Sequence, residues 1–239
     1  IIENHLSKSD KYNFAFDDLK KHVGFKKDIK KIEAYDISHF SGNYATASCV
    51  VYSNKGSSKK EYRIFNIPKA LSGNDVGSLE HVIKRRIKYY DDKETKPDLI
   101  LIDGGKNQLN FSQSVIQNSY HKDIKVISIV KGVNRIRATE TVLSSEGVIE
   151  FNKESKGYLL LQEIRDESHR FAINAQRKKK NAKNKKSELD NIQGIGKILK
   201  KRLLHHFKSL KNIKSASLED LMTVNGINVK IAQLIKKKL

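Results

Sequence analysis

The spacing of apolar residues changes along the chain, and each change marks an element. Segments 32–37, 45–53 and 61–67 are dense in Ile, Val, Tyr, Thr and Phe, with turn residues at Gly42-Asn43 and in the 53–60 stretch between them. Short β-rich runs separated in this way predict three strands in an antiparallel meander. Beyond Pro68 the apolar positions become Val76, Leu79, Val82, Ile83, Ile87 and Tyr90, with Lys84, Arg85 and Arg86 on the other side. That spacing predicts an amphipathic helix. The run Leu99-Ile100-Leu101-Ile102 ends in Asp103-Gly104-Gly105, and 126–130 is a second continuous apolar run. Such runs suit strands buried on both faces, and a helix over 106–118 fits between them. A hairpin excursion is expected over 131–151. A strong helix is expected over 158–176, with Leu160, Leu161, Ile164, Phe171 and Ala175 on its apolar side. Upstream of all this, a short amphipathic helix fits 16–23.

The order meander, helix, strand, helix, strand predicts an α/β domain, a mixed sheet flanked by helices. It is expected over 31–176, after a lead-in segment at 1–30. Seven of the ten residues 177–186 are basic, and 177–187 reads as a basic linker. The region 188–239 holds an internal repeat. Leu189-Asp190-Asn191-Ile192-Gln193-Gly194-Ile195-Gly196 aligns with Leu221-Met222-Thr223-Val224-Asn225-Gly226-Ile227-Asn228, and an apolar helix follows each copy. Two copies of helix, Gly-rich hairpin and helix predict a small all-α tandem helix-hairpin-helix domain.

Charge narrows the class of partner. The 239 residues include 47 Lys and Arg against 27 Asp and Glu, a formal net charge of +20. An excess of that size favours polyanions, although a solvated lysine surface needs no ligand. From Gln176 onward basic residues outnumber acidic ones about four to one. No segment approaches the roughly 18 consecutive apolar residues of a membrane span, so no membrane role and a cytoplasmic location are expected. The lone Cys49, in an apolar run, is expected to be a buried strand residue. It cannot form an internal disulfide or a thiolate zinc cage by itself. The opening Ile1-Ile2-Glu3, without methionine, suggests a fragment.

Two carboxylates stand out by position. Asp36 interrupts a strand, where an unsolvated charge is costly unless something positive meets it. Asp103 ends a buried strand, and the carboxyl ends of such strands are where open α/β sheets present ligands. On neighbouring strands the pair would suit a hard divalent cation, Mg²⁺ or Mn²⁺, able to activate water against a phosphodiester. Plainer readings exist for each: a tight turn capped by Asp103, and a salt-bridged edge residue at Asp36. His169 falls on the 158–176 helix beside its apolar stripe. It could bind metal, accept a proton or simply be half-buried. Asp166 and Arg170, four apart, read as a surface ion pair.

The successive motifs Asp36-Ile37-Ser38-His39, Asp103-Gly104-Gly105-Lys106-Asn107-Gln108-Leu109 and Ile164-Arg165-Asp166-Glu167-Ser168-His169-Arg170-Phe171-Ala172-Ile173 resemble, in order, those of the UvrC family of bacterial nucleotide excision repair. Tyr62-Arg63-Ile64-Phe65-Asn66-Ile67 and Gly73-Asn74-Asp75 also resemble its pattern, although the family more often reads Gly-Asp-Asp where Asn74 stands. The resemblance runs from about residue 32 to the end. It implies a ribonuclease H-like endonuclease domain with a metal site at Asp36, Asp103 and His169, and places Asp75 at a further acidic position. It further implies incision of DNA on the 5′ side of a lesion. The partner would be UvrB, reached in the full-length protein through a segment preceding this half, as would a separate nuclease domain for the 3′ incision.

The tail suits a grip on double-stranded DNA. Gly194 and Gly196 let backbone approach phosphate, a helix N-terminus follows, and Lys197 adds charge. In the second copy Gly226 is kept, Asn228 replaces the second glycine as a residue that tolerates left-handed geometry, and Lys230 supplies the cation. Ser217-Leu218-Glu219-Asp220 carries a capping signature. Such backbone contacts are nearly blind to sequence. Two other functions fit the same features: a non-catalytic DNA-binding module, or a ribonuclease H or junction resolvase.

Overall fold

The computed structural model describes residues 8–40, 44–90, 95–131 and 140–239, without the side chains of 8, 39–40, 44, 131 and 179–188. The expected Gly42-Asn43 turn and part of the 131–151 excursion lie outside the described residues. Two compact units are present, Ile1–Gln176 and Arg177–Leu239.

The first unit is built on one mixed sheet. Strands β1 (Lys31–Phe40), β2 (Tyr44–Ser53), β3 (Gly56–Ser57), β4 (Arg63–Asn66), β5 (Leu99–Asp103), β6 (Lys125–Lys131), β7 (Glu140–Ser144) and β8 (Gly147–Ile149) run in the order β3-β2-β1-β5-β6-β7-β8, with β4 also paired to β2. The meander is antiparallel, β1 with β2 and β2 with β4. β5 then lies parallel to β1 on one side and to β6 on the other. Flanked on both edges and covered on both faces, Leu99 to Ile102 are essentially inaccessible, which explains their unbroken apolarity. Burial of each such side chain contributes about 2 kcal/mol. The excursion after β6 extends the sheet: β7 and β8 form a hairpin paired to β6.

Helices cover both faces. Alternation along β1 sends Ile32, Ala34 and Asp36 to one face and Glu33 and Tyr35 to the other. The second face takes α2 (Asp75–Ile87) and α3 (Lys106–Gln117). The first takes α1 (Lys8–His22) and α4 (Lys156–Asp190). There Tyr12 Oη donates to Glu163 Oε1 at 2.6 Å and the Gly157 amide donates to Asp18 Oδ2 at 2.7 Å, tying α1 to α4. The helix at the start is longer than expected, and it buries Tyr12, Ala15, Phe16 and Leu19 in the main core instead of leading into it.

Two expectations fail for instructive reasons. Arg86 is not on the solvent side of α2. It follows Leu79 and Ile83 at helical spacing, so its backbone position dictates an inward side chain. There the guanidinium donates to Glu33 Oε1, at 3.0 Å from Nε and 2.5 Å from Nη2. Glu33, fully buried, also accepts from Tyr35 Oη at 2.6 Å and Tyr90 Oη at 2.5 Å. Burial pushes both phenols well above their ordinary pKa, so they stay protonated as donors. The second is the end of the 158–176 helix, which runs on through 177–187 within α4. From 158 to 190 the chain has no Gly or Pro, and Lys and Arg are good helix formers.

The second unit contains the end of α4 followed by α5 (Lys197–Phe207), α6 (Leu210–Ser215), α7 (Leu218–Met222) and α8 (Val229–Lys238). Its own core gathers Leu189, Ile192, Leu203, Ile213, Leu221, Val224, Ala232 and Ile235. Removing one partner of a buried, hydrogen-bonded ion pair strands the other charge. Arg86→Ala is therefore expected to cost about 3–5 kcal/mol of stability, measurable by denaturant unfolding, whereas Arg85→Ala on the exposed side should change it little.

Candidate metal centre and nucleic-acid interface

The parallel pairing of β1 with β5 sets up the site. Tyr35 pairs with Ile102, so Asp36 and Asp103 sit side by side one residue further along, both on the face covered by α4. β1 lies inside the sheet, so Asp36 is not an edge residue. It is only 7% exposed. Its Oδ2 accepts from Ser38 Oγ at 3.1 Å and lies 3.4 Å from His169 Nδ1. One ligand-capable atom from each of Asp36, Asp103 and His169 falls within 4.8 Å of the others. His169 projects from α4 with 54% of its side chain exposed, so the cluster opens to solvent on that side.

Residues beyond those expected shape this edge. After Asp103, the Gly104 amide donates to Ile129 O at 3.3 Å. Gly105 caps α3, its amide donating to Gln108 Oε1 at 2.7 Å. A Cβ at Gly104 would lie 2.0 Å from Gln108 Oε1, so a side chain there would push the end of Gln108 off the Gly105 amide. Gln108 Nε2 also reaches Asp75 Oδ2 at 3.4 Å. Asp75, at the start of α2, thus lies in a depression with Asn74, Lys106 and Asn107; it does not belong to the three-residue cluster. Ser48, opposite Asp36 on β2, hydrogen-bonds Ser168 of α4. The charges flanking His169 pair along the helix, and Arg165 also pairs with Glu140 of β7. Arg170 binds Glu167 at 2.7 Å and Asp166 is held by Arg165, so the expected Asp166–Arg170 pair does not form.

Two carboxylates and an imidazole are the donor set that suits a hard to borderline divalent cation. The set fits such an ion on its own chemistry: Asp36 is largely withdrawn from water, sits beside a second carboxylate, and has only a hydroxyl and an imidazole as hydrogen-bond partners among those described. Cys49, on the opposite face, is fully buried and its thiol pKa is raised, first by that burial.

The model for the "UvrC RNAse H endonuclease domain" matches residues 20–173, and the model for the "SAM-like Helix-hairpin-helix tandem" matches 186–239. The chain belongs to the UvrC family. UvrABC system protein C from Francisella tularensis subsp. mediasiatica is 35% identical over 234 residues, covering 97% of this chain and 38% of that protein. The counterpart from F. tularensis subsp. novicida is 34% identical over the same span. The chain thus spans under two-fifths of the length of these UvrC relatives. Among solved structures, human endonuclease V aligns at a TM-score of 0.39 and 12% identity, covering 69% of this chain and 98% of that one. Ciona intestinalis endonuclease V, solved with inosine-containing DNA, aligns at 0.33 and 13%, covering 53% of this chain and 59% of that one. The fold of this UvrC chain is ribonuclease H-like in its first unit and a helix-hairpin-helix tandem in its second. Among the described residues, no helix is long and apolar enough to cross a membrane.

The two hairpins of the second unit are in register. Gly194 and Gly226 hold φ of +93° and +96°, the left-handed region that side chains resist. Gly196 and Asn228 are the N-caps of α5 and α8, both extended, at φ −80° and −97°. Asn228 is therefore not left-handed as expected. It serves instead as a cap, its side chain accepting from the Ile231 amide at 2.9 Å. Ser217 and Asp220 form the expected capping box of α7. Gly194, Gly196, Lys197, Gly226, Asn228 and Lys230 are all exposed. A Cβ at Gly196 would meet nothing, so packing within the chain does not require glycine there.

Packing separates the two left-handed glycines. A Cβ at Gly194 would sit 3.5 Å from Ile231, an ordinary contact, whereas at Gly226 it would sit 2.6 Å from Leu199 Cδ2. Gly194→Ala should cost about 1–2 kcal/mol from φ alone. Gly226→Ala should cost more, with overpacking adding about 1 kcal/mol or above; comparing melting curves of the two variants checks the difference.

Proposed function

We propose that this chain is the catalytic part of a divalent-metal-dependent DNA endonuclease of bacterial nucleotide excision repair, which makes the 5′ incision beside a lesion in a UvrB-marked duplex. The convergence of Asp36, Asp103 and His169 beside the carboxyl end of β5 carries this reading. In it, the two carboxylates and the imidazole hold Mg²⁺ or Mn²⁺, which when bound supplies Lewis-acid polarisation of the phosphodiester and a more acidic water. Asp36 and Asp103 orient that ion from the sheet. His169, solvent-exposed at the rim, completes the ligand set or takes a proton from the attacking water. Asp75, which accepts from Gln108 of the next helix, would face the path of the substrate strand.

The second unit holds the duplex. Lys197 and Lys230 stand in the first turns of α5 and α8, where free backbone amides already favour phosphate. The open space over Gly196 supports the same reading, since a phosphate can approach the backbone there. Contacts of this kind do not read base order, which suits an enzyme whose site is set by damage.

The alternative of a silent DNA-binding module predicts no dependence on the cluster. Nicking of a lesion-bearing duplex preloaded with UvrB, in Mg²⁺ or Mn²⁺, should fall at least about 100-fold on Asp36→Ala or Asp103→Ala. Equal nicking by parent and variants would remove the site. Cleavage of hybrid or four-way substrates without lesion or UvrB would favour the resolvase-like alternative. For the tail, Lys197→Ala and Lys230→Ala should each lower the slope of log K against log salt by about 1, uniformly across sequences; an unchanged slope contradicts the phosphate contacts.

A further inference from the structure

We infer that Ser48 and Ser168 form a positioning clip that sets His169 against the two aspartates, and so tunes metal affinity without touching metal or substrate. The inference rests on the proposed metal site and adds to it the residues that align its helix-borne member.

Asp36 and Asp103 need no alignment beyond the sheet, because strand register places them side by side. His169 is different. It comes from a helix 133 residues later in the chain than Asp36, and its side chain is half exposed. Among the described residues, its ring is met by Asp36, at 3.4 Å from Nδ1. Its location follows from how α4 is rotated and how far it is slid along the sheet. A helix advances about 100° per residue, so an error of one residue in rotation would swing the imidazole away from the cluster.

Tyr158 Oη, which donates to Glu140 O at 3.1 Å, and the Arg165–Glu140 ion pair hold α4 to β7; the side chain just before His169 adds the directional contact nearest the cluster. Ser168 is fully buried and lies directly over Ser48, also fully buried. Ser48 Oγ lies 3.1 Å from Ser168 O and 3.0 Å from Ser168 Oγ. Donation by Ser48 to the carbonyl and acceptance from the Ser168 hydroxyl satisfy both groups at once. Ser48 is the cross-strand partner of Asp36. The clip therefore joins the residue beside one proposed ligand to the residue beside another. The other inward positions of α4 nearby, Ile164 and Ala172, make apolar contacts that are not directional. The two hydrogen bonds are directional, and they fail if the helix turns or slides.

Small hydroxyl side chains at this crossing also allow close approach of helix and strand. A packing role alone would be felt as stability; a positioning role must be felt in the cluster as well. Partners that orient metal ligands are typically worth about 10–100-fold in affinity.

The test titrates Mn²⁺ into the metal-free protein and follows loss of the free-ion electron paramagnetic resonance signal, alongside thermal melting. Ser48→Ala removes both hydrogen bonds and should weaken Mn²⁺ binding about 10-fold while the protein still melts cooperatively. Ser168→Ala keeps the Ser48–carbonyl bond and should lose less, about 3-fold, and the double variant should lose no more than Ser48→Ala, as expected for groups acting as one unit. Ser168→Ala carries the test if Ser48→Ala does not fold. Lower melting temperatures with parental Mn²⁺ affinity in both variants would overturn the clip. Asp36→Ala run in parallel keeps the two ideas apart: if it binds Mn²⁺ as the parent does, the metal site itself is wrong.

Discussion

The parallel pairing of β1 with β5 is the constraint from which the candidate site follows. Tyr35 opposite Ile102 brings two carboxylates, 67 residues apart in sequence, onto adjacent strands of one face. Side by side they repel each other and resist desolvation. An arrangement of that kind is a cost to the fold unless a cation or proton donor relieves it. The register is not free to slip, because a one-residue shift would exchange Ile32, Ala34 and Asp36 for Glu33 and Tyr35 on the α4 side.

The two faces of β1 divide the work. On the α2 side, Glu33 is sealed in with Arg86, Tyr35 and Tyr90, every strong partner supplied. On the α4 side, Asp36 is left with weaker company, a serine hydroxyl and a distant imidazole nitrogen. Two acids three residues apart in one strand thus have opposite roles, one consumed by structure and one held available. Helix α4 supplies the third group of the proposed site, and it is seated on β2 through Ser48 and Ser168.

Much of this was legible in the chain. Period and composition located the strands and helices of the sheet, and the buried run before Asp103 marked its central position. Asp36 and Asp103 could be singled out because a carboxylate in a strand, or at the end of one, is out of place. His169 could not be separated from an ordinary helical histidine by position alone; the resemblance to the UvrC family pointed to it. Other features left no local signal. Arg86 was assigned to the polar side of α2 by its charge, although its phase on the helix put it inside. Ser48 and Ser168 look neutral in sequence, and their hydrogen bonds span 120 residues. Asn228 was given a left-handed backbone that belongs instead to the glycine two residues earlier. The basic run 177–187 gives no periodic apolar signal, and only the lack of any helix breaker shows that α4 continues through it.

The central claim is that Asp36, Asp103 and His169 together capture a divalent cation. Crystals soaked in Mn²⁺, with diffraction recorded to give an anomalous difference map, test it most directly. The account predicts one strong peak within bonding distance of both carboxylates and facing the His169 imidazole. A map with Mn²⁺ bound elsewhere on the chain, and none between these residues, would contradict it.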